Sequence, residues 1–426
     1  MLRPLAFVLL AACSGGSTQP GGADKGVAAP EAATIKIGEY GSMTGSEATF
    51  GQSTHNGIVL AIEEVNARGG VKGKQIELKS YDDQGKTQEA GTVVTRLVTE
   101  DQVVAILGEV ASSLSIAGGR VAQQYGVPMI SPSSTNAKVT EVGDRIFRVC
   151  FVDEFQGFVG AKFAAENLKV TKAATLYDQG SAYSKGLKDD FAKAFVAMGG
   201  EVVTEQAYTA GDQDFSAQLG TIKASGIQVV YLPGYYTDVG NIAIQARKLG
   251  IEVPMLGGDG WDSAKLAEIG GPAIEGSFYS NHYAPEEDRP EVQAFVKAYQ
   301  ARYSAVPDGL AALGYDAARV LFAAMERSPD LGGEALSAAI SQTKDFPGVT
   351  GSITIDGKRN AQKPAVVVEM KGGSPHFVAS VAPEGGKGGK AKGEKAEGEH
   401  ADGGPDGEKG DKAKGDKAKG DKAKGE

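Results

Sequence analysis

The chain has 426 residues, 41% of them hydrophobic and 23% charged, an ordinary globular composition with enough material for two α/β domains rather than one small one. Its formal net charge is −10 and no cluster of Lys or Arg stands beside aromatic residues, so the electrostatic footprint of a nucleic-acid binder is missing and that class of partner is excluded.

Met1 to Pro4 carries one positive charge and is followed by a short apolar run, Leu5 to Ala12, which has the form of a secretory signal and is too short to span a bilayer. The run ends in Leu10-Ala11-Ala12-Cys13, which resembles the lipobox of bacterial lipoproteins. That resemblance implies a signal peptide over 1–12 and a lipid on the Cys13 thiol, the alternative being an ordinary Cys near a ragged terminus. Residues 13–33, rich in Gly, Ser, Ala and Pro, then read as a flexible tether. A periplasmic or cell-surface location follows, with membrane contact through the anchor. Cys150 is left as the one remaining thiol and lies in the apolar run Phe147 to Phe151, so it reads as a small buried hydrophobe and no disulfide is expected.

From Thr34 the sequence alternates β-branched runs with segments of helical period, a βαβα rhythm that implies parallel sheets covered by helices. Ile35 to Tyr40 alternates as a strand. Ile58, Ile62 and Val65 then share a helical face that stops at Arg68-Gly69-Gly70. Further strands are expected at Gln75 to Tyr81, Val103 to Leu107, Val127 to Ser131, Ala173 to Tyr177, Val202 to Gln206, Val229 to Leu232 and Val253 to Leu256. Helices are expected at Gly157 to Leu168, Tyr183 to Met198 and Asp238 to Leu249. These are too many strands for one small sheet, and a break falls just after Cys150. Between Pro290 and Arg327 two helical faces follow each other with no strand between them, and these helices are expected to rejoin the first lobe. Beyond Pro383 the composition turns to Gly, Lys, Ala, Asp and Glu, with eleven acidic and eleven Lys residues from Glu384 onward. Without aliphatic or aromatic side chains larger than Ala to bury, this 382–426 tail is expected to be disordered.

Gly41-Ser42-Met43-Thr44-Gly45, Asn66-Ala67-Arg68-Gly69-Gly70-Val71-Lys72-Gly73 and Tyr81-Asp82-Asp83-Gln84 resemble the type I periplasmic binding proteins for leucine, isoleucine and valine. Gly108 to Ser113, Pro128 to Thr135, Gly211 to Phe215 and Leu256 to Gly260 continue the likeness in order, over about residues 34 to 380. The resemblance implies an α/β fold of two Rossmann-like lobes with parallel central sheets and a three-crossing hinge. Lobe 1 would take 34–150 plus 281–360, and lobe 2 would take 151–280 plus 361–381.

A free amino acid needs donors for its carboxylate, an oxygen for its ammonium and an apolar wall for its side chain. Loops at the carboxyl ends of parallel strands, running into helix N-termini, offer the first of these. By the resemblance, Ser112 and Thr135 supply hydroxyls and Ser133 a backbone donor, whereas without it helix capping and turn formation would explain all three. Asp259, set among glycines after its strand, is the candidate counter-ion for the ammonium; the leucine-type members carry Glu there, which leaves ligand size open. Tyr183 and Tyr235 match positions where rings close over the ligand. Phe50, Trp261 and Leu310 are candidate side-chain walls.

The chain contains no G-x-S-x-G, H-E-x-x-H, C-x-x-C or phosphate-loop pattern, and its four His residues, at 55, 282, 376 and 400, are scattered. No enzyme, cofactor or metal is therefore expected. The implied function is capture of an aliphatic amino acid by a monomer that hands it to ABC permease subunits. The alternatives are the same fold binding an amide, urea or aromatic acid, or presenting its closed form to a signalling receptor.

Overall fold

β-branched and aromatic residues concentrate in short buried runs, and longer amphipathic segments separate them, so each strand of the parallel part is followed by a helix. The structure is a computed structural model in which residues 34–383 are described. Cys13, the signal, the tether and the tail from Glu384 lie outside them.

The first sheet has five parallel strands in the order β2-β1-β3-β4-β5. They are β1 (Ile35–Gly41), β2 (Ile76–Asp82), β3 (Ile106–Leu107), β4 (Met129–Ser131) and β5 (Ile146–Arg148). Between them run α1 (Ala48–Ala67), α2 (Thr87–Thr99), α3 (Ser112–Gln124) and the single turn α4 (Lys138–Glu141). The chain then passes through α5 (Asp153–Lys162) into a second sheet made of β6 (Lys172–Asp178), β7 (Glu201–Tyr208), β8 (Val229–Tyr231), β9 (Met255–Gly257) and β10 (Phe278–Asn281). The helices between these strands are α6 (Ala182–Ala197), α7 (Ser216–Ala224), α8 (Tyr236–Lys248) and α9 (Ala264–Gly270).

After β10 come α10 (Pro290–Tyr303), α11 (Gly309–Arg327) and α12 (Gly333–Ser341), whose buried faces share one core with β1, β4, β5 and α1 of the first sheet. A small antiparallel sheet follows, β11 (Phe346–Gly348), β12 (Gly351–Ile355) and β13 (Ala361–Gln362). The chain ends in the second sheet with β14 (Ala365–Lys371) and β15 (Ser374–Val381), which are antiparallel and complete the order β15-β14-β10-β9-β8-β6-β7. Each main sheet is covered on both faces, which is why its inner strands are buried without alternation, while the outer strands β2, β7 and β15 are not. The result is an α/β fold of two lobes built on parallel-dominant sheets, with the helices of 290–327 packed on the core of the first sheet.

Element ends differ from the sequence expectation for local reasons. Paired strand β3 begins at Ile106 rather than Val103, whose N–H bonds instead to Leu97 O at the end of α2 at 3.2 Å. β9 begins at Met255 rather than Val253, because Pro254 has no N–H for the ladder and contributes only its carbonyl, to Val230 N at 3.1 Å. The helix expected from Gly157 starts four residues earlier at Asp153 and finishes in a wider π turn over Phe163–Asn167.

Candidate functional site

The carboxyl ends of β3 and β4 release two loops that are sewn together by hydroxyls. Ser131 Oγ donates to Glu109 O at 2.7 Å, and Ser134 Oγ lies 3.0 Å from Glu109 O and 2.8 Å from Val110 O. The loops are also held from beneath. The fully buried Arg148 guanidinium donates to Ser134 O at 2.6 Å and Asn136 O at 2.7 Å, and Glu109 accepts from Ser42 N and Ser42 Oγ at 3.0 Å. Burial, with Asp83 beside it, holds the Glu109 carboxyl well above its ordinary range.

Within this frame Ser112 is the first residue of α3 and its Oγ accepts from Asn136 N at 3.2 Å, a contact that uses an acceptor site of the hydroxyl and leaves its proton for another partner. Ser133 and Thr135 differ. Among the described residues the Oγ of Ser133, 3% exposed, has no hydrogen-bond partner, whereas Thr135, 1% exposed, sets its hydroxyl beside the Asp153 carboxyl, where it counters part of the rise that burial imposes on that group. A buried hydroxyl without a partner costs about 1–3 kcal/mol, an expense that folds retain where a ligand repays it.

Opposite stand the carboxyl ends of the second sheet. Tyr235 caps the N-terminus of α8 after β8, Tyr183 lies in the first turn of α6, and their rings stack at 5.3 Å and 9°. Burial pushes both phenols well above their ordinary value, which keeps them neutral. Asp259 follows β9 and is 5% exposed. Its Oδ1 accepts from Gln156 Nε2 at 2.9 Å and its Oδ2 lies 2.9 Å from His282 Nε2.

Phe50 and Leu310 reach this place from α1 and α11, which approach backbone to backbone. A Cβ on Gly57 would lie 1.9 Å from Ala311 O, and one on Gly314 would lie 2.4 Å from Thr54 O, so only glycine permits the approach. Asp308 caps α11 through Ala311 N at 2.8 Å and accepts from Ser53 Oγ of α1 at 2.5 Å, locking the two helix starts together.

One small, half-open space is lined by Phe50, Val110, Ser133, Tyr183, Tyr235, Asp259, Gly260 and Leu310. It therefore gathers six of the nine ligand residues expected from the sequence and adds Val110 and Gly260. Ser112 and Thr135 belong to the loops beside it. Trp261 is not brought to it: the indole is fully buried, donates to Leu232 O at 2.9 Å and packs against Tyr279. Gln156 and His282 were invisible as site residues, because nothing in a lone Gln on a helix or in one of four scattered His residues signals a shared carboxylate.

The space measures about 10 Å³, room for one water molecule. The walls are drawn together by contacts between the lobes. Phe50 meets the Tyr235 ring edge-on at 5.3 Å, Ser113 Oγ accepts from Ala182 N at 3.1 Å, Asn136 Nδ2 donates to Ala182 O at 2.8 Å, and Thr237 Oγ1 donates to Ser46 O at 2.7 Å. Anything larger than a water could enter this space only if these contacts parted.

A family model described as periplasmic binding protein matches residues 34–374. A leucine-, isoleucine-, valine-, threonine- and alanine-binding protein of Pseudomonas aeruginosa is 32% identical over 327 residues, 76% of this chain and 86% of that protein. The crystal structure of a leucine binding protein, LivK, from Thermotoga maritima superposes with a TM-score of 0.80 at 38% identity, covering 82% of this chain and 99% of that one. The branched-chain amino acid transporter substrate binding protein LivJ of Streptococcus pneumoniae, in complex with isoleucine, gives a TM-score of 0.78 at 34% identity, covering 82% of this chain and 100% of that one.

Proposed function

Because the chain belongs to the periplasmic binding protein family, we propose that it is an extracytoplasmic lipoprotein, anchored through Cys13, that captures an aliphatic L-amino acid between its lobes and delivers it to ABC permease subunits. The lobes divide near residues 150, 281 and 361. The observation that carries the reading is one small space with a buried hydroxyl, Ser133, unpartnered among the described residues, on one wall and a carboxylate, Asp259, on the other. The remaining lining is aliphatic or aromatic apart from the two phenols and Gly260, which suits an apolar side chain.

Ser133, Thr135 and the neighbouring N–H groups would receive the ligand's carboxylate, and Asp259 its ammonium. Tyr183 and Tyr235 would close over it, with Phe50, Val110 and Leu310 against its side chain. Charge-assisted hydrogen bonds at both ends, with a buried aliphatic group between them, supply the roughly 8 kcal/mol of a micromolar site after ordering costs. Closure follows by population shift, since only ligand completes the contacts across the cleft.

A thermal-shift screen of the purified protein against L-amino acids, amides, urea and aromatic acids tests this reading. An aliphatic L-amino acid at one hundred times its Kd is expected to stabilise the fold by about 2.7 kcal/mol. Stabilisation by an aromatic acid or an amide alone, with none by any amino acid, overturns it.

A further inference from the structure

Asp259 does not hold itself in place. Both of its oxygens are engaged by side chains from distant parts of the chain, Gln156 Nε2 at 2.9 Å and His282 Nε2 at 2.9 Å. Gln156 sits in the first turn of α5, just after the chain has left the first sheet. His282 follows β10 directly, where the chain leaves the second sheet for α10. The two passages press on each other, because the Phe151 ring stacks on the His282 imidazole with centroids 3.8 Å apart and planes 21° from parallel.

Both donors are buried, Gln156 at 0% and His282 at 2% exposure, and both have a second polar atom, Gln156 Oε1 and His282 Nδ1, with no partner. Each therefore spends its one satisfied contact on the same carboxylate. Burial pushes the imidazole down to about 4, so at neutral pH it carries a single proton. Facing a carboxylate oxygen, that proton belongs on Nε2, and the amide nitrogen of Gln156 faces Oδ1 for the same reason. A neutral donor orients the carboxylate without cancelling its charge, whereas an imidazolium would neutralise it before any ligand arrived.

We infer that Gln156 and His282 are positioning residues for ligand recognition, two neutral donors that lock the Asp259 carboxylate in the orientation that receives the ligand's ammonium. This rests on the amino-acid reading above. A carboxylate offers about four lone-pair sites, so two remain for the ligand once these donors are in place. Holding the group rigid removes the ordering cost that a free Asp would meet on binding.

The test is a double-substitution cycle read by titration calorimetry, using whichever of L-leucine, L-isoleucine, L-valine and L-alanine binds wild type most tightly. His282→Phe keeps a ring on Phe151 and removes the donor, and Gln156→Met keeps the length and removes the other. Each is expected to weaken binding about ten-fold or more in the wild-type background and less than about three-fold in an Asp259→Asn background. An equal loss in both backgrounds means these residues only support the fold and overturns the inference, as does an unchanged affinity. With one variant unable to fold, the other decides by the same comparison. Failure of wild type to bind any of the four amino acids is a different result, which removes the amino-acid reading and the inference with it.

Discussion

Across the cleft the two lobes present polar groups in opposite states. On the first-sheet wall, the run from Ser131 to Thr135 spends two hydroxyls, Ser131 and Ser134, on its own loops and, among the described residues, leaves that of Ser133 buried without a partner. On the second-sheet wall, the Asp259 carboxylate has a donor on each oxygen. The difference follows from charge. A neutral hydroxyl can be buried unpaired for about 1–3 kcal/mol, whereas a buried carboxylate without donors would lose its charge instead. One wall can therefore wait for its partner, and the other must be satisfied beforehand while keeping lone pairs for the ligand.

If the charged wall carries the specificity, Asp259→Ala should produce the largest loss, at least about 2 kcal/mol of amino-acid affinity by titration calorimetry, since it leaves a buried ammonium unpaired. An unchanged affinity would return Asp259 to a turn residue and dissolve the contrast between the walls.

The contrast within Ser131 to Thr135 gives a smaller effect with a sign that differs by residue. Ser134→Ala removes a hydroxyl within 3.0 Å of two carbonyls and should lower the stability of the ligand-free protein by about 1 kcal/mol in urea unfolding. Ser133→Ala removes a hydroxyl that bonds nothing among the described residues, so it should leave that stability unchanged or raise it, while it weakens the ligand by about 1 kcal/mol. Equal losses of stability at both positions would show that the wall is not divided in this way.

Much of the scaffold was legible because parallel strands buried on both faces leave continuous β-branched runs such as Val229 to Tyr231, and amphipathic helices such as α8 carry their period openly. Ends were less so: a proline at 254 or a capping carbonyl at Leu97 moves a boundary by two or three residues without altering the hydrophobic pattern. At the site, Asp259, Ser133, Tyr183 and Tyr235 could be singled out through the family resemblance, with which their places near strand ends and helix starts agree; position alone would have left Ser133 a turn residue and Asp259 likewise. Gln156 and His282 could not, because what makes them relevant is a contact between segments 103 and 23 residues from Asp259. The division of labour within the serine run was equally hidden, since four hydroxyls of the same chemistry differ only in which carbonyls the folded loops bring near them.

Trp261 sharpens the comparison from the other side, because it lies two residues from Asp259 and yet serves the lobe rather than the cleft. Its indole is fully buried among the core residues of the second sheet, its N–H donates to Leu232 O at the end of β8, and a Cβ on Gly257 would press into its ring. Trp261→Phe should therefore leave amino-acid affinity within about 0.5 kcal/mol of wild type while lowering stability by about 1–2 kcal/mol, through the unpaired carbonyl and the space left behind. The same burial makes the residue a faithful optical probe. Ligand should shift its fluorescence only as far as closure alters the packing around Asp259, so a large direct quench by bound ligand would place the indole on the cleft wall and erase the distinction between a residue that receives the ligand and one that supports its neighbour.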